Sequence, residues 1–413
     1  PSTPKRRILQ VVSSVGVSHG GTASAVTGLS LALQENGHDV AVFSTDAANP
    51  GRSRHHRFGF DDTDLPPDAE RLDLRISPVR HPYRWLYAPA MKAELRSEAP
   101  AADILHINGL FSYPQYAAWS AATKTGTPWV VSTHGQLDPY MRRRGRLQKT
   151  IANQIWVRKM LEGARVIHCT TDDERDLIAD ISPNTRRMVV PNGMDIRRFQ
   201  RQANPARFRE QVLAGSQAPL IVNHGRISRK KGIDLLISAL GIVRERFPDA
   251  MLAVVGSDAE GLQALLEDQA RSLGLGDAVV FTGERSGQEL IDAIAAADVW
   301  VLPSHTENFG IAVIEAMATG RPVVASRAVN LARGAQAEGA LLMIDVSARD
   351  AADAIIRLLA DDVERDSVAA RGQHFAEQFD WSHVVDGYQQ MYEAAIRGLE
   401  PAGSRRVLSQ GST

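Results

Sequence analysis

The chain repeats one pattern along its length: a short apolar run rich in β-branched residues, a loop of small or polar residues, and a longer stretch with apolar residues at helical spacing. Runs that are apolar throughout are typical of parallel strands covered by helices on both faces. The pattern predicts twelve strands: Ile8–Val12, Val40–Ser44, Ile104–Ile107, Trp129–Thr133, Val166–Cys169, Met188–Val190, Leu220–Asn223, Met251–Val255, Ala278–Phe281, Val299–Leu302, Val323–Ala325 and Ala340–Met343. Strands that alternate with helices in this way indicate an α/β fold.

The predicted strands form two groups of six, separated by a polar stretch that begins at Pro191. Because 413 residues exceed what one hydrophobic core usually holds, we predict two Rossmann-like, doubly wound parallel-sheet domains, 1–194 and 195–380. Ligands are expected beyond the carboxyl ends of the strands, in a cleft between the domains. An amphipathic helix is predicted over 381–400, and a disordered tail over 401–413.

Composition excludes several classes of protein. Lys and Arg number 47 against 48 Asp and Glu, so the net charge of −1 gives no overall field that would favour nucleic acid. The single cysteine, Cys169, cannot form an internal disulfide, and no apolar run is long enough to span a membrane. Since no signal-peptide pattern is present at the start, these features predict a cytoplasmic protein.

A first glycine-rich loop, Gly16 to Gly21, lies between the first predicted strand and a helix that ends near Asn36-Gly37. Paired glycines allow backbone N–H groups to approach an anion at a helix N-terminus. The spacing is not the G-x-G-x-x-G of dinucleotide-binding proteins. Gly20 and Gly21 are therefore candidates for an anion site, although a plain turn between strand and helix explains the loop equally well.

A second loop, Gly225 to Gly232, contains Arg226 and the basic run Arg229-Lys230-Lys231 just before a predicted helix. Cations at a helix N-terminus oppose the helix dipole, at about 0.3–1 kcal/mol per charge, unless an anion is bound there. The loop therefore predicts a phosphate site. A solvated basic loop is the alternative.

A third loop carries two carboxylates, Glu307 in the loop itself and Glu315 more than a turn inside the following helix. Side chains on a helix lean toward its N-terminus, so both carboxylates are expected to reach one ligand. Carboxylates accept hydrogen bonds from sugar hydroxyls, while the free N–H groups near Asn308–Ile311 bind phosphate. The alternative is a capping Glu307 and an exposed Glu315.

Further candidates follow two strands of the first domain. His134 comes directly after Trp129–Thr133 and can bond a sugar hydroxyl or a developing charge, although a structural role for a lone histidine is as common. Asp138 lies in the same loop. His106 and Asn108, at the end of another strand, are possible cleft-lining residues.

Taken together, these motifs resemble the family-4 retaining glycosyltransferases of the GT-B architecture, over nearly the whole chain. The matching elements, in order, are Gly20-Gly21, His134-Gly135, Pro191-Asn192-Gly193-x-Asp195, Gly225-Arg226 with Lys231-Gly232, and the E-x7-E element from Glu307 to Glu315. One departure is Gly256-Ser257-Asp258, where the family often has a second glycine. The histidine-led element His134 to Pro139 is most similar to members that build bacterial polysaccharides.

The resemblance implies that the first domain binds the acceptor and the second binds a nucleotide sugar, a UDP- or GDP-sugar. Arg226 and Lys231 would hold the diphosphate, Glu315 the ribose, and Glu307 and His134 the donor sugar. The residues implied for the donor are Gly20, Gly21, Arg226, Lys231, Glu307, Asn308, Phe309, Gly310, Ile311 and Glu315, those implied for catalysis are His134, Glu307, Arg226 and Lys231, and those on the acceptor side are His106, Asn108 and Asp138. The final helix would cross back to the first domain.

The chemistry implied is retaining sugar transfer to a glycan, lipid-linked or small-molecule acceptor, with a phosphate oxygen of the leaving group taking the proton. The sequence has no His/Cys spacing typical of a metal site, and neither an obligatory metal nor another cofactor is predicted. A basic amphipathic stretch, 142–159, is a possible contact with an anionic membrane, with a solvated face as the alternative.

Two other classes remain open from the residues alone: a nucleotide-sugar epimerase and a non-catalytic nucleotide-sugar-binding module. A dehydrogenase fits least, because the glycine fingerprint is missing.

Overall fold

The structure is a computed structural model that describes residues 4–16, 19–47, 65–66, 68–143, 145–201, 203–258 and 260–398. The predicted tail 401–413 lies outside these residues. The chain divides into two compact units, Pro1–Met194 with Trp381–Thr413, and Asp195–Asp380.

The first unit is built on a seven-stranded sheet. Its strands are β1 (Arg7–Val11), β2 (Asp39–Thr45), β3 (Asp73–Ser77), β4 (Ile104–Asn108), β5 (Trp129–Ser132), β6 (Val166–Cys169) and β7 (Arg187–Val189). All pairs are parallel, in the order β3-β2-β1-β4-β5-β6-β7. Strand β3 was missed in the sequence because it lies at the edge of the sheet, is partly exposed and carries polar residues within the run Asp73-Leu74-Arg75-Ile76-Ser77.

The helices of the first unit are α1 (Gly21–Glu35), α2 (Pro89–Glu98), α3 (Tyr113–Thr125), α4 (Pro139–Arg143), α5 (Arg146–Ala152), α6 (Arg158–Glu162) and α7 (Asp172–Ala179), with a π-helical turn at Asn153–Val157 between α5 and α6. The C-terminal helix, Trp381–Arg397, also belongs to this unit.

The C-terminal helix packs its apolar face on one side of the first sheet. Val384, Tyr388 and Met391 are buried in one cluster with Ile8 of β1 and Ile104 of β4. Two glycines make room for its first residue, Trp381: a Cβ at Gly28 would lie 2.6 Å from the indole and one at Gly193 only 2.3 Å. The glycine of the Pro191-Asn192-Gly193 element is therefore required by packing.

The second unit is built on a six-stranded parallel sheet. Its strands are β8 (Leu220–His224), β9 (Met251–Val255), β10 (Val279–Gly283), β11 (Val299–Leu302), β12 (Val323–Ser326) and β13 (Leu342–Ile344), in the order β10-β9-β8-β11-β12-β13. Its helices are α8 (Ile196–Phe199), α9 (Pro205–Leu213), α10 (Ile233–Arg246), α11 (Gln263–Ser272), α12 (Gly287–Ala295), α13 (Ile311–Ala318), α14 (Ala332–Ala337), α15 (Ala348–Ala360) and α16 (Asp362–Glu377).

Both sheets are doubly wound, which confirms the predicted fold class. In each sheet the strand order reverses beside the first strand, between β1 and β4 in one unit and between β8 and β11 in the other. Loops diverge at such a switch point, and α/β proteins bind ligands there. The candidate residues follow these strands or their neighbours. Within the described ranges, no helix combines the length and apolar character needed to cross a membrane.

Candidate active site

The loop after β8 is held against its neighbours by close backbone contacts. A Cβ at Gly232 would lie 2.3 Å from the carbonyl oxygen of Pro303, and one at Gly256 only 2.0 Å from that of Gly225. The amide of His305 donates to the carbonyl of Lys230 at 2.7 Å. Glycine is needed at 232 also because its φ is +68°, in the left-handed region. The close approach expected near Gly256 is therefore present with a single glycine there.

Two lysines of this loop converge on Glu307. The Nζ atom of Lys231 lies 2.8 Å from one carboxylate oxygen, and that of Lys230 lies 3.2 Å from the other. All three side chains are largely buried, with 12% to 22% of each exposed. Burial by itself would raise the pKa of Glu307, but the two ammonium groups lower it to about 2. The cluster thus has one more positive than negative charge.

The same environment acts on Lys230. Burial lowers its pKa, and the charge of Glu307 opposes that change. Lys230 was only part of the basic run in the sequence and was not predicted as a site residue. Arg226, three residues before this run begins, is exposed and makes no ion pair within the described residues. An anionic ligand at this loop would therefore find an excess of positive charge.

Glu315 is oriented by a relay of two buried side chains. The indole N–H of Trp300 donates to Nδ1 of His224 at 2.8 Å, and Nε2 of His224 lies 2.7 Å from an oxygen of Glu315. Because the indole only donates, Nδ1 must accept and Nε2 carries the proton given to Glu315. The second oxygen of Glu315 has no partner within the described residues, and it can accept from a ligand.

Helix α13 presents its N-terminus beside this cluster. Gly310 precedes the helix with φ +97°, and the amides of Phe309, Gly310 and Ile311 find no acceptor in the part of the chain that the structure describes. Such amides bind phosphate or hydroxyl oxygens. The ring of Phe309 is buried edge-on against Phe379, so the contribution of Phe309 to a site is through its backbone.

In the first unit, Gly20 and Gly21 begin helix α1. Gly20 precedes the helix with φ +72°, a conformation that favours glycine, and Gly21 is its first residue. Because the N-cap residue is a glycine, it provides no side-chain cap for this helix. The helix ends at Glu35, as the Asn36-Gly37 pair predicts.

His134 is held on both sides by buried polar groups. Its Nε2 lies 3.0 Å from Oδ1 of Asn108, and its backbone has φ +47°, unusual outside glycine. The carboxylate of Glu174 accepts from the hydroxyl of Thr133 at 2.5 Å and from the amide of Gly135 at 2.7 Å. Desolvation, with the charge of His168 second, lowers the pKa of His134 to about 4, so its ring is neutral at pH 7.

Two predicted acceptor-side residues have structural roles. His106 is 1% exposed and bonds Tyr392 and Ser132 in the interior, so its prediction as a cleft-lining residue was wrong. A histidine in an apolar strand can serve either role, and the sequence does not show that the C-terminal helix covers this one. Asp138 accepts from the amide of Tyr140 at 2.8 Å, which caps α4.

Sequence reasoning overlooked four residues that shape these loops, namely Lys230, His224, Trp300 and Glu174. Two of them gave a usable signal. His224 is a polar residue at the carboxyl end of a buried strand, and Glu174 closes the pattern Thr171-Asp172-Asp173-Glu174 of a capping box, in which Thr171 accepts from the amide of Glu174. Within the described residues, no group of three or more His, Cys, Asp or Glu side chains is placed to hold a metal ion.

Comparison with known proteins identifies the family. The model of the "Glycosyl transferase 4-like domain" matches residues 20–193, and that of "Glycosyl transferases group 1" matches 205–375. The chain belongs to the family-4 glycosyltransferases of the GT-B architecture.

Individual relatives are distant in sequence but extensive in coverage. The chain is 29% identical to the D-inositol 3-phosphate glycosyltransferase of Corynebacterium jeikeium over 77% of its length and 78% of the relative. It is 27% identical to the GDP-mannose:cellobiosyl-diphosphopolyprenol alpha-mannosyltransferase of Xanthomonas campestris, over 94% and 97%. The fold matches that of Anabaena HepE in complex with UDP and glucose, with a TM-score of 0.76 and 19% identity over 94% and 100% of the two chains.

These matches define the reaction class. The chain is a retaining glycosyltransferase that uses a nucleotide sugar and transfers the sugar to an acceptor. The alternative of an epimerase without acceptor transfer is not supported.

Proposed function

We propose that the Lys230, Lys231 and Glu307 cluster binds the diphosphate of the donor and stabilises it as it leaves. The observation that carries this proposal is the pair of buried ammonium groups sharing one carboxylate. Glu307 neutralises one lysine and keeps both side chains in place, and the remaining charge faces the growing negative charge of the leaving phosphate. Arg226 and the amides of Phe309, Gly310 and Ile311 add donors to the same anion.

For the sugar, we propose that the acceptor hydroxyl attacks the face that the leaving group vacates, with a phosphate oxygen as the base. A two-step route needs a free carboxylate nucleophile. Both oxygens of Glu307 are engaged by lysines, and Asp138 caps a helix. Glu315, bonded to His224, retains one oxygen for a ribose hydroxyl.

The same cluster leads us to propose turnover without an obligatory divalent ion or other cofactor, since fixed cations supply the charge that a metal would supply elsewhere. The test uses an α-linked donor with a short-chain polyprenyl-diphosphate glycan as acceptor. We expect an α-linked product by proton NMR and full turnover in EDTA. A β-linkage would refute the proposed attack, and loss of turnover in EDTA, restored by Mg²⁺, would refute the metal-free site.

The donor is proposed to be a GDP- or UDP-sugar. Relatives support both, since one is named for GDP-mannose and the HepE structures contain UDP or UDP-glucose. Melting curves with UDP, GDP and ADP will separate them, because a ligand that binds the folded state raises the melting temperature by mass action. No shift with UDP or GDP would contradict the proposal.

We propose a lipid-linked glycan as the acceptor, at the inner, cytoplasmic face of a membrane. The Xanthomonas relative, matched over nearly its full length, is named for a diphosphopolyprenol acceptor. Helix α5 and the π-helical turn that follows it supply a second argument: Leu147 is 71% exposed, Ile151 37% and Ile155 52%, at intervals of four residues. Trp156 anchors this segment from beneath, since its indole donates to the carbonyl of Leu110 at 2.8 Å.

The membrane proposal is tested by flotation with vesicles that contain about one-third anionic lipid. A basic, amphipathic segment gains from both apolar burial and charge attraction. We expect binding that is lost in Leu147→Ser/Ile155→Ser and kept in Leu265→Ser/Leu273→Ser, a control pair on the second unit with 57% and 51% exposure. Equal binding by the two double variants would exclude this face as the contact.

A further inference from the structure

A line of polar side chains crosses the first sheet on the face that the C-terminal helix covers. On this face each strand begins with an apolar residue and continues with polar ones: Ile8 then Gln10 in β1, Ile104 then His106 and Asn108 in β4, Val130 then Ser132 in β5, and Val166 then His168 in β6. The parallel register pairs Gln10 with His106 and Ser132 with His168. Tyr392 reaches the same line from the C-terminal helix.

The hydrogen bonds of this line have a fixed direction, starting from the carbonyl oxygen of Val190. This oxygen only accepts, so Nε2 of His168, at 2.7 Å, carries a proton. Burial lowers the pKa of His168, and a neutral ring leaves Nδ1 as an acceptor for the hydroxyl of Ser132 at 2.6 Å. The only hydroxyl proton of Ser132 is therefore donated to His168, so Ser132 can only accept from its other neighbours.

The same argument continues to the C-terminal helix. Ser132 must accept from Nε2 of His106 at 2.6 Å. Burial lowers the pKa of His106 well below its ordinary value, and protonation of His168 or His134 would lower it further, so the ring is neutral and its Nδ1 accepts from the hydroxyl of Tyr392 at 2.7 Å.

Two amides complete the line. With its proton given to His106, Tyr392 can only accept, so the neighbouring atom of Gln10, at 3.1 Å, is the NH2 group. The side-chain oxygen of Gln10, Oε1, then accepts from the NH2 group of Asn108 at 2.9 Å. The side-chain oxygen of Asn108, Oδ1, lies 3.0 Å from Nε2 of His134. His134 must donate through Nε2, and Nδ1 of its neutral ring is left bare.

We propose that Tyr392 is a positioning residue for His134: through this directional line it holds His134 as the Nε2–H tautomer, with Nδ1 as an acceptor for a ligand hydroxyl. Nδ1 of His134 has no hydrogen-bond partner within the described residues. It is also not one of the fully buried polar atoms that lack a partner, so it is accessible to a ligand. A contact with a sugar hydroxyl rests on the proposed function, whereas the tautomer rests on the hydrogen bonds alone.

The C-terminal helix provides a matched control. Tyr388 lies one turn before Tyr392 and is equally buried, at 2% exposure. Its hydroxyl makes no hydrogen bond within the described residues, so Tyr388→Phe removes a hydroxyl from the same helix without interrupting the line. In Tyr392→Phe, Gln10 loses the hydroxyl that fixes its amide orientation. The amide of Asn108 keeps a long contact, 3.4 Å, from its NH2 group to the backbone carbonyl of His106. A concerted flip of both amides, against that long contact, would favour the Nδ1–H tautomer of His134.

The experiment is two-dimensional ¹⁵N NMR of the ring nitrogens in the full-length protein labelled at histidine, at neutral pH and without ligand. The chain has 12 histidines, and the signals of His134 are those missing from His134→Gln. We expect a bare Nδ1 and a protonated Nε2 in the wild type and in Tyr388→Phe, and a shift of Nδ1 toward the protonated position in Tyr392→Phe.

The proposal is wrong if wild-type His134 carries its proton on Nδ1, or if folded Tyr392→Phe gives the wild-type spectrum. Should Tyr392→Phe fail to fold, Gln10→Met interrupts the same line from β1 with a side chain of similar size. The spectrum of Gln10→Met is then compared with that of the wild type, by the same two criteria. Because the spectra are recorded without a sugar donor or an acceptor substrate, these outcomes do not depend on whether the proposed sugar transfer is right.

Discussion

Each unit contains a buried carboxylate that fixes a loop at the carboxyl edge of its sheet, but the partners differ. In the second unit, Glu307 is paired with two ammonium groups. In the first, Glu174 accepts from the amides of Gly135 and Thr170 and from the hydroxyls of Thr133 and Thr170, all of them neutral donors. Both carboxylates have a lowered pKa, although burial alone would raise it.

The difference indicates two ways of preparing a polar loop for a ligand. The charged cluster is suited to an anion, since its net charge is available when a phosphate arrives. The neutral line around His134 supplies direction instead: each hydrogen bond sets the next, and the ring is presented as an acceptor. We expect mutations in the charged cluster to act mainly on turnover. Mutations of Glu174 or of the line of polar side chains should act mainly on stability and on the orientation of His134.

The largest effect is expected for Lys231→Ala. Its ammonium group lies nearest to Glu307 and is proposed to face the developing phosphate charge, so turnover should fall by about 10²- to 10³-fold with little change in fold. Release of the nucleoside diphosphate measures the rate. Arg229→Ala is the control, because Arg229 belongs to the same basic turn but has an exposed side chain. Equal losses in both variants would point to general loop damage.

Glu174→Gln should affect stability, with a loss of about 3 kcal/mol in the free energy of unfolding. The new NH2 group would face donors where an acceptor is needed, and buried donors left without a partner cost about 1–3 kcal/mol each. Urea unfolding measures the change. Glu307→Gln is the comparison: it lowers turnover more than stability, and the reverse ranking would overturn the contrast between the two units.

Glu315→Gln should weaken nucleoside diphosphate binding by about 10- to 100-fold, the usual value of a hydrogen bond to a charged group. Calorimetry with the preferred nucleoside diphosphate measures the affinity. Trp300→Phe removes the donor that orients His224 and should give a smaller loss in the same direction. Unchanged affinity in Glu315→Gln would remove this residue from the nucleotide site.

Much of the fold was predictable, because a fully buried parallel strand consists of consecutive apolar residues, as in Val299–Leu302. Strand β3 was not, since it owes its place to pairing with β2 along the sheet edge, a long-range contact that leaves no apolar run. The loops of the candidate site were predicted from their glycines and cations for the same local reason, because backbone conformation and helix dipoles depend on nearby residues.

The roles of individual side chains were less predictable. The sequence placed His106 at the end of one buried strand and His134 directly after another, but only the packing of the C-terminal helix shows that His106 is interior. Likewise Lys230 and Lys231 are adjacent, and the carboxylate they share lies 77 and 76 residues away from them, respectively, along the chain. Partners that distant cannot be read from local spacing.

The smallest effect expected is a difference between the units in mild acid. Burial lowers the pKa values of His106, His134 and His168 below the ordinary value of 6.5, to about 4 for His134, so these rings stay neutral in the folded state while the unfolded chain takes up protons. The first unit should therefore lose stability as the pH falls from 6.5 toward 4. Glu307, with its pKa lowered from 4.5 to about 2, contributes fully to stability above pH 4.5 and loses its contribution only between pH 4.5 and 2.

Hydrogen exchange followed by mass spectrometry, corrected for intrinsic rates, should show protection falling first in peptides of the first unit at about pH 5. His374→Gln, at an exposed histidine of the second unit, should leave this profile unchanged. Earlier loss of protection in the second unit would mean that its charged cluster, and not the neutral line, is the acid-sensitive part of the molecule.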